Sequence, residues 1–214
     1  MKMDEISSLI RQVADEEIAP RFRHLKEHEV RFKEPGEFVT EADIKAERSI
    51  TKKLLSLYPN SIVTGEEDIS KNPARLDELI RSDCGFLIDP IDGTNNFIKG
   101  DERFAIMIAA LQFGEVAASW IYLPAQKILA VCEKGSGAIL NGEKVSLKAP
   151  ITDISEMTGA AHITRMPKEL RIEAAEKLKA FKENRPAYCA GHDYVCLLNG
   201  RKDFSVYYRT LLWD

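Results

Sequence analysis

The sequence has 214 residues, 44% of them hydrophobic and 30% charged, with a formal net charge of −4. That is room for one large domain or two small ones of ordinary globular composition. The charge balance argues against a nucleic-acid partner, since no Lys/Arg run forms a basic patch, and no apolar run approaches the ~20 residues that span a bilayer. Met1-Lys2-Met3-Asp4-Glu5 lacks the apolar segment of a signal peptide. Cys84, Cys132, Cys189 and Cys196 include no Cys-x-x-Cys pair with a His partner, so reduced thiols in a cytoplasmic protein are expected rather than zinc or a disulfide framework.

Residues 4 to about 30 read as a helix, with Ile6, Leu9, Ile10, Val13, Ala14 and Ile18 at helical spacing and Pro20 as a disturbance. Residues 33–38 are polar, contain Pro35-Gly36, and read as a loop. A second helix begins near Thr40, where Thr40 and Asp43 have capping-box spacing. Ala46, Ile50, Leu54 and Leu57 line its inner face, and Pro59-Asn60 ends it. Residues 61–65 form a short strand running into Glu66-Glu67-Asp68, and 70–82 a polar excursion with some helix. Cys84 to Ile88 is a strand. Segments 104–112, 115–122 and 127–132 follow as strands, and 135–145 carries a hairpin signal at Asn141-Gly142. After Pro150 the style becomes α/β: strand 157–162, helix 167–181, a strand ending near Tyr188, helix 192–198 and strand 204–207. The expected organisation is a metal-binding α+β half with an antiparallel sheet over 1–149 and a smaller α/β half over 150–214, together one compact unit.

The chemistry concentrates in Asp89-Pro90-Ile91-Asp92-Gly93-Thr94-Asn95-Asn96-Phe97. Two carboxylates three residues apart stand at the end of an apolar strand, and a Gly-Thr turn follows with room for a helix. Carboxylate oxygens suit a hard cation such as Mg²⁺, and the N–H groups of a turn entering a helix suit a phosphate. An Asp-Gly pair alone is commonly only a turn. Glu66-Glu67-Asp68 alone is more often a solvated acidic loop, Asp43 alone a helix cap, and Asp214 alone carries no message. Their order beside the main motif gives them weight, because metal-assisted phosphate ester hydrolysis needs several carboxylates from separate segments. No Ser, Cys or His forms a triad-like arrangement. The histidines His24, His28, His162 and His192 read as surface or structural residues, with His192 the one that could lie near a substrate.

Together, Val39-Thr40-Glu41-Ala42-Asp43, Gly65-Glu66-Glu67, the nine-residue motif and Trp213-Asp214 resemble the inositol monophosphatase family of Mg²⁺-dependent, lithium-sensitive phosphatases. Gly135-Ser136-Gly137-Ala138, Asn141-Gly142 and Tyr207-Tyr208 are weaker matches. The resemblance implies an αβαβα layered sandwich and a homodimer. It also implies site roles. Glu66, Asp89 and the Ile91 carbonyl would hold one Mg²⁺, and Asp89, Asp92 and Asp214 a second. Thr94 paired with Asp43 would orient the attacking water together with Glu66. Gly93 and Thr94 would offer N–H groups to the phosphate, and Gly191 would lie against the substrate.

Two departures from the family pattern stand out. Members acting on inositol phosphates have Glu after the aromatic pair. Here Tyr207-Tyr208 is followed by Arg209, which cannot accept from a hydroxyl but can bind a carboxylate or second phosphate. The segment Cys189-Ala190-Gly191-His192-Asp193 replaces the family's usual Gly-Ser/Thr-Ala. Family members also continue beyond Trp-Asp with a helix, so an incomplete C-terminal part is expected after Asp214. The functional expectation is a Mg²⁺-dependent phosphomonoesterase acting on a small phosphorylated substrate similar to inositol monophosphate. Histidinol phosphate, fructose 1,6-bisphosphate and 3′-phosphoadenosine phosphates are alternative substrates. A regulatory binding protein of the transcription machinery is the alternative of another class.

Overall fold

A computed structural model of the chain describes residues 1–34, 37–147 and 149–213. Helix α1 (Met3–Val13) passes into a π-helical turn at Ala14–Ile18. Strands β1 (Val30–Glu34) and β2 (Glu37–Thr40) lead into α2 (Glu41–Leu57). Then come β3 (Ile62–Gly65), α3 (Glu66–Lys71), α4 (Ala74–Arg81), β4 (Cys84–Asp92) and α5 (Thr94–Ile98). The antiparallel strands β5 (Ala105–Gln112), β6 (Glu115–Leu123), β7 (Ile128–Glu133), β8 (Gly137–Leu140) and β9 (Glu143–Lys144) follow. The final stretch holds β10 (Thr158–His162), α6 (Lys168–Leu178), β11 (Glu183–Asn184), α7 (Ala190–Leu198) and β12 (Phe204–Tyr207).

Among the described residues, β3 to β9 form one sheet in sequence order. β3 pairs parallel with β4, and every later pair is antiparallel. Alternation of side chains across a strand gives this sheet two buried faces. Phe86, Ile88, Ile106, Ile108 and Trp120 point to one face, where Ile6, Ile10 and Val13 of α1 and Ile50 and Leu54 of α2 cover them. Each such side chain contributes about 1.5–3 kcal/mol by leaving water. Ala105 and Met107 point to the other face and meet Val195 of α7. Leu87 and Leu111 on that face meet Ile69 and Leu79 of α3 and α4. Beyond α7 lies a parallel three-stranded sheet, β11-β10-β12. Helix α6 supplies the crossover that a parallel β10–β11 pair requires, and Phe181 just after it packs on Phe204 of β12. This is the αβαβα layered sandwich that the resemblance implies.

Three local expectations need correction. The first helix does not continue to residue 30. It widens into the π turn and stops before Pro20, whose ring cannot sit inside a helix. The stretch read as a loop at 33–38 contributes instead to a β1–β2 hairpin, with Arg31 opposite Val39 and Phe32 opposite Phe38; Pro35 and Gly36 lie outside the described residues. The strand expected to end near Tyr188 is Glu183–Asn184, and Tyr188 stands in a bend at φ 57°. No helix among the described residues is long and apolar enough to cross a membrane. All four cysteines are free thiols.

Candidate phosphoryl-transfer site

The register of the parallel pair β3–β4 brings the separate carboxylates together. Gly65 stands opposite Ile88, so the next residues, Glu66 at the start of α3 and Asp89 still within β4, come side by side. The β4–β5 ladder slips between Asp89 and Asp92. Pro90 sits in that slip, where a residue without an N–H is tolerated, and the irregularity re-aims the chain as bulges do. Gly93 then takes φ +83° and starts α5. A Cβ there would lie 3.0 Å from the Arg103 carbonyl oxygen and from Cys189 Cβ, so both the left-handed turn and the crowding favour glycine.

Glu66, Asp89, Ile91, Asp92, Gly93 and Thr94 all line one cavity of about 490 Å³. Thr94 Oγ1 donates to the Ile91 carbonyl at 3.0 Å and faces Asp43 Oδ1 at 3.4 Å, long for a hydroxyl donor. Asp43 also performs the capping role. Its Oδ2 accepts from the Thr40 N–H at 2.8 Å, and Thr40 Oγ1 accepts from the N–H groups of Ala42 and Asp43. Burial pushes the Asp43 carboxyl up to about 7. The Thr40 hydrogen bonds oppose this, and Glu67 and Glu66 add to it.

Asp92 is tied to α7. Its Oδ2 accepts the Gly191 N–H at 2.6 Å and the Cys189 thiol at 3.1 Å. Gly191 does not line the cavity; a Cβ at its position would lie 2.8 Å from Ala105 Cβ and Met107 Sδ. Burial, and then the Asp92 charge, push the Cys189 thiol well up, so it stays protonated as a donor. Asn96 clamps the same region by donating to the carbonyls of Arg103 at 2.7 Å and Ala187 at 2.8 Å. Asp214 lies outside the described residues. Its neighbour Trp213 lines the cavity.

The remaining wall carries Arg209, Tyr207, Tyr208, Tyr188, His162 and Arg165. His162 stacks on Tyr207, with ring centroids 4.5 Å apart. Reading the histidines as structural therefore missed His162, while His192 packs beside Cys196 and does not line the cavity. The available signal was position: His162 ends a strand in the α/β half, where open parallel sheets place their ligands.

Lys33 was also missed. Its ammonium sits 2.8 Å from Glu66 Oε1 and 2.6 Å from Glu67 Oε1. Burial alone would lower its pKa, but the two carboxylates outweigh this and hold it above the usual lysine range. Among the described residues no three His, Cys, Asp or Glu side chains close on one point. The acidic groups Glu66, Asp89 and Asp92 are instead spaced along the cavity, and Lys33, which does not line it, neutralises Glu66 from behind. Carboxylate and carbonyl oxygens from Glu66, Asp89, Ile91 and Asp92 on one cavity are the donor chemistry that a hard divalent ion takes.

The sequence matches the model of the inositol monophosphatase family over residues 2–214. It is 33% identical over 189 residues to the fructose-1,6-bisphosphatase/inositol-1-monophosphatase of Thermotoga maritima, an alignment covering 83% of this chain and 65% of that protein. To the Nus factor SuhB of Vibrio cholerae it is 31% identical over 154 residues, covering 72% of this chain and 54% of the relative. The chain thus spans about half to two thirds of the length of these curated relatives. Among solved structures, the IMPase of Thermotoga maritima matches with a TM-score of 0.83 at 26% identity, covering 99% of this chain and 79% of that one.

Proposed function

The chain belongs to the inositol monophosphatase family, and from that premise we propose that it is a Mg²⁺-dependent phosphomonoesterase acting on a small phosphorylated alcohol. The observation that carries this reading is the β3–β4 register, which sets Glu66 beside Asp89 on a cavity shared with Asp92 and Thr94. Glu66, Asp89, the Ile91 carbonyl, Asp92 and Asp214 would hold the metal. Bound there, Mg²⁺ supplies charge neutralisation and activation of water. Thr94 Oγ1, whose single hydrogen is directed to the Ile91 carbonyl and Asp43, accepts a hydrogen bond from the attacking water and fixes its direction. Gly93, lacking a side chain, leaves the turn open for the phosphoryl oxygens. The Gly191 N–H and the Cys189 thiol both bind Asp92 Oδ2 and hold that carboxylate in one orientation at the cavity wall.

Arg209 and Arg165 face the same cavity. They favour an alcohol portion that carries a second anionic group over an uncharged polyol. The test is a Mg²⁺-supported hydrolysis screen over inositol, sugar, amino-alcohol and nucleotide phosphates. Release of phosphate from at least one, abolished by EDTA, is expected. No hydrolysis of any ester with the metal present would overturn the proposal.

A second reading, a regulatory partner of the transcription machinery, draws on the likeness to the Nus factor of Vibrio cholerae. A partner surface has no need of Glu66, Asp89 and Asp92 along one cavity, which weighs toward catalysis. A binding assay comparing wild type with an Asp89→Asn variant separates the two. Binding unaffected in a protein without phosphatase activity would favour the regulatory reading.

A further inference from the structure

His162 lines the cavity, and the proposed reaction gives it no role so far. It ends β10, and its Nε2 lies 2.6 Å from Asp193 Oδ2. Asp193 is fully buried on α7. Its other neighbours are all donors: the Lys202 ammonium on Oδ1, and the Ala187 N–H 3.2 Å from both oxygens. Burial alone would raise the Asp193 carboxyl, but the hydrogen bonds from His162 and Lys202 hold it below its usual range. An ionised carboxylate only accepts, so Nε2 carries the hydrogen of this contact. That leaves Nδ1, which has no hydrogen-bond partner among the described residues, as the working nitrogen of a side chain that lines the cavity and keeps 15% of its surface exposed. The ring cannot swing away. It is stacked on Tyr207, and the edge of Tyr188 meets it at a ring distance of 5.7 Å.

The same helix turn that fixes this imidazole fixes the acidic end of the site. Gly191 holds Asp92 and Asp193 holds His162. These two anchors are two residues apart on α7, a rise of ~3 Å along its axis. Asp92 and His162 line the same cavity, so an ester whose phosphoryl group lies beside Asp92 shares that cavity with an oriented Asp–His pair.

We propose that His162 is a catalytic residue, the general acid that protonates the leaving alcohol. This rests on the phosphomonoesterase reading above. The oxygen of water bonds to phosphorus and one of its protons passes to solvent. The bond from phosphorus to the ester oxygen breaks, and its electron pair stays on that oxygen. The Nδ1 proton of the imidazolium moves to the same oxygen, releasing the neutral alcohol. His162 takes a proton back from solvent, so one water is consumed and one alcohol and one phosphate are formed. Asp193 acts through His162 and is a positioning residue, with Lys202 balancing its charge.

The experiment compares wild type and His162→Gln, with Mg²⁺, on two esters. Glycerol phosphate leaves as an alkoxide that needs a proton, whereas 4-nitrophenyl phosphate leaves as a stabilised phenolate that does not. General-acid assistance is worth ~10²–10⁴-fold. The variant should lose that factor in kcat/KM on glycerol phosphate, and no more than about a tenth of that factor on the nitrophenyl ester. Equal losses on both esters, or none on either, would overturn the role of His162 while leaving the phosphatase reading intact. A wild type that hydrolyses neither these esters nor any in the wider screen would sink both. Should the variant not fold, the wild type alone decides through a series of phenyl and alkyl phosphates: a shallow dependence of rate on leaving-group acidity supports the proposal, and a steep one contradicts it.

Discussion

Replacing Glu47 by Gln should stabilise the metal-free protein at pH 8 and leave it unchanged at pH 4. Glu47 lies on α2, only 7% exposed, and its Oε2 accepts the Glu67 N–H at 2.8 Å. That bond anchors the first turn of α3, the turn that presents Glu66. The approach is close enough that a Cβ on Gly65 would lie 2.3 Å from the same oxygen. Burial pushes the Glu47 carboxyl up to about 7, partly offset by the Glu67 N–H, from the ~4.3 of an exposed glutamate. The folded state therefore holds this proton more tightly than the unfolded chain. Stability from that source is complete below the unfolded pKa and is lost as pH rises through the folded one. At ~1.4 kcal/mol per pKa unit the loss above pH 7 is on the order of 3 kcal/mol. Glutamine keeps the acceptor oxygen and has no proton to lose. Denaturant melts of the EDTA-treated protein between pH 4 and 8 should show a difference that is absent at the acid end, grows through pH 5–7 and levels off above. A difference independent of pH, or a variant less stable than wild type at pH 8, would refute this account of Glu47.

Further expected outcomes concern the site itself. Gly191→Ala forces a methyl to 2.8 Å from Ala105 and Met107; such overpacking costs about 1–3 kcal/mol and shifts the N–H that holds Asp92. Both Tm and kcat should fall, and an unchanged kcat would show that Asp92 does not depend on that contact. Arg209→Glu should move kcat/KM toward inositol monophosphate and away from a doubly anionic ester. A charge-assisted contact is worth about 1.5–3 kcal/mol, or roughly ten- to a hundredfold; equal change on all esters would make Arg209 structural. Lithium should inhibit at concentrations where sodium has no effect, as the family membership implies, measured as phosphate release in fixed Mg²⁺.

Much of this was legible in the residues. Ile6, Leu9, Ile10, Val13, Ala14 and Ile18 mark one helical stripe, and all are buried. The Thr40–Asp43 spacing is a capping box in fact, and the apolar run after Phe104 is the buried strand β5. Local pattern carries such features because one face of an element meets the core. The β1–β2 hairpin was illegible for the opposite reason: Arg31 and Phe32 are exposed, so no buried face imposes a period of two. Lys33 and His162 could not be found by spacing, since each acquires meaning only from partners far along the chain, Glu66 and Glu67 for one and Asp193 for the other. The carboxylate motif was readable because β4 supplies both of its acidic residues within four positions. That Glu66 joins them follows from a strand register, which is a property of the fold.

The central claim is that these carboxylates serve a divalent ion in phosphate ester hydrolysis, and Asp89→Asn tests it most directly. Asp89 is 2% exposed, among the last residues of β4 (Cys84–Asp92) beside the Glu66 turn, and is proposed to serve both ions. A bound cation contributes several kcal/mol to such reactions, which corresponds to more than ~100-fold in rate. A Mg²⁺ titration of phosphate release by wild type and by the Asp89→Asn variant, with folding of both checked by thermal melts, should show saturable activation for the first and at least that loss for the second. Full activity in the variant, or wild-type activity undiminished by EDTA, would contradict the account.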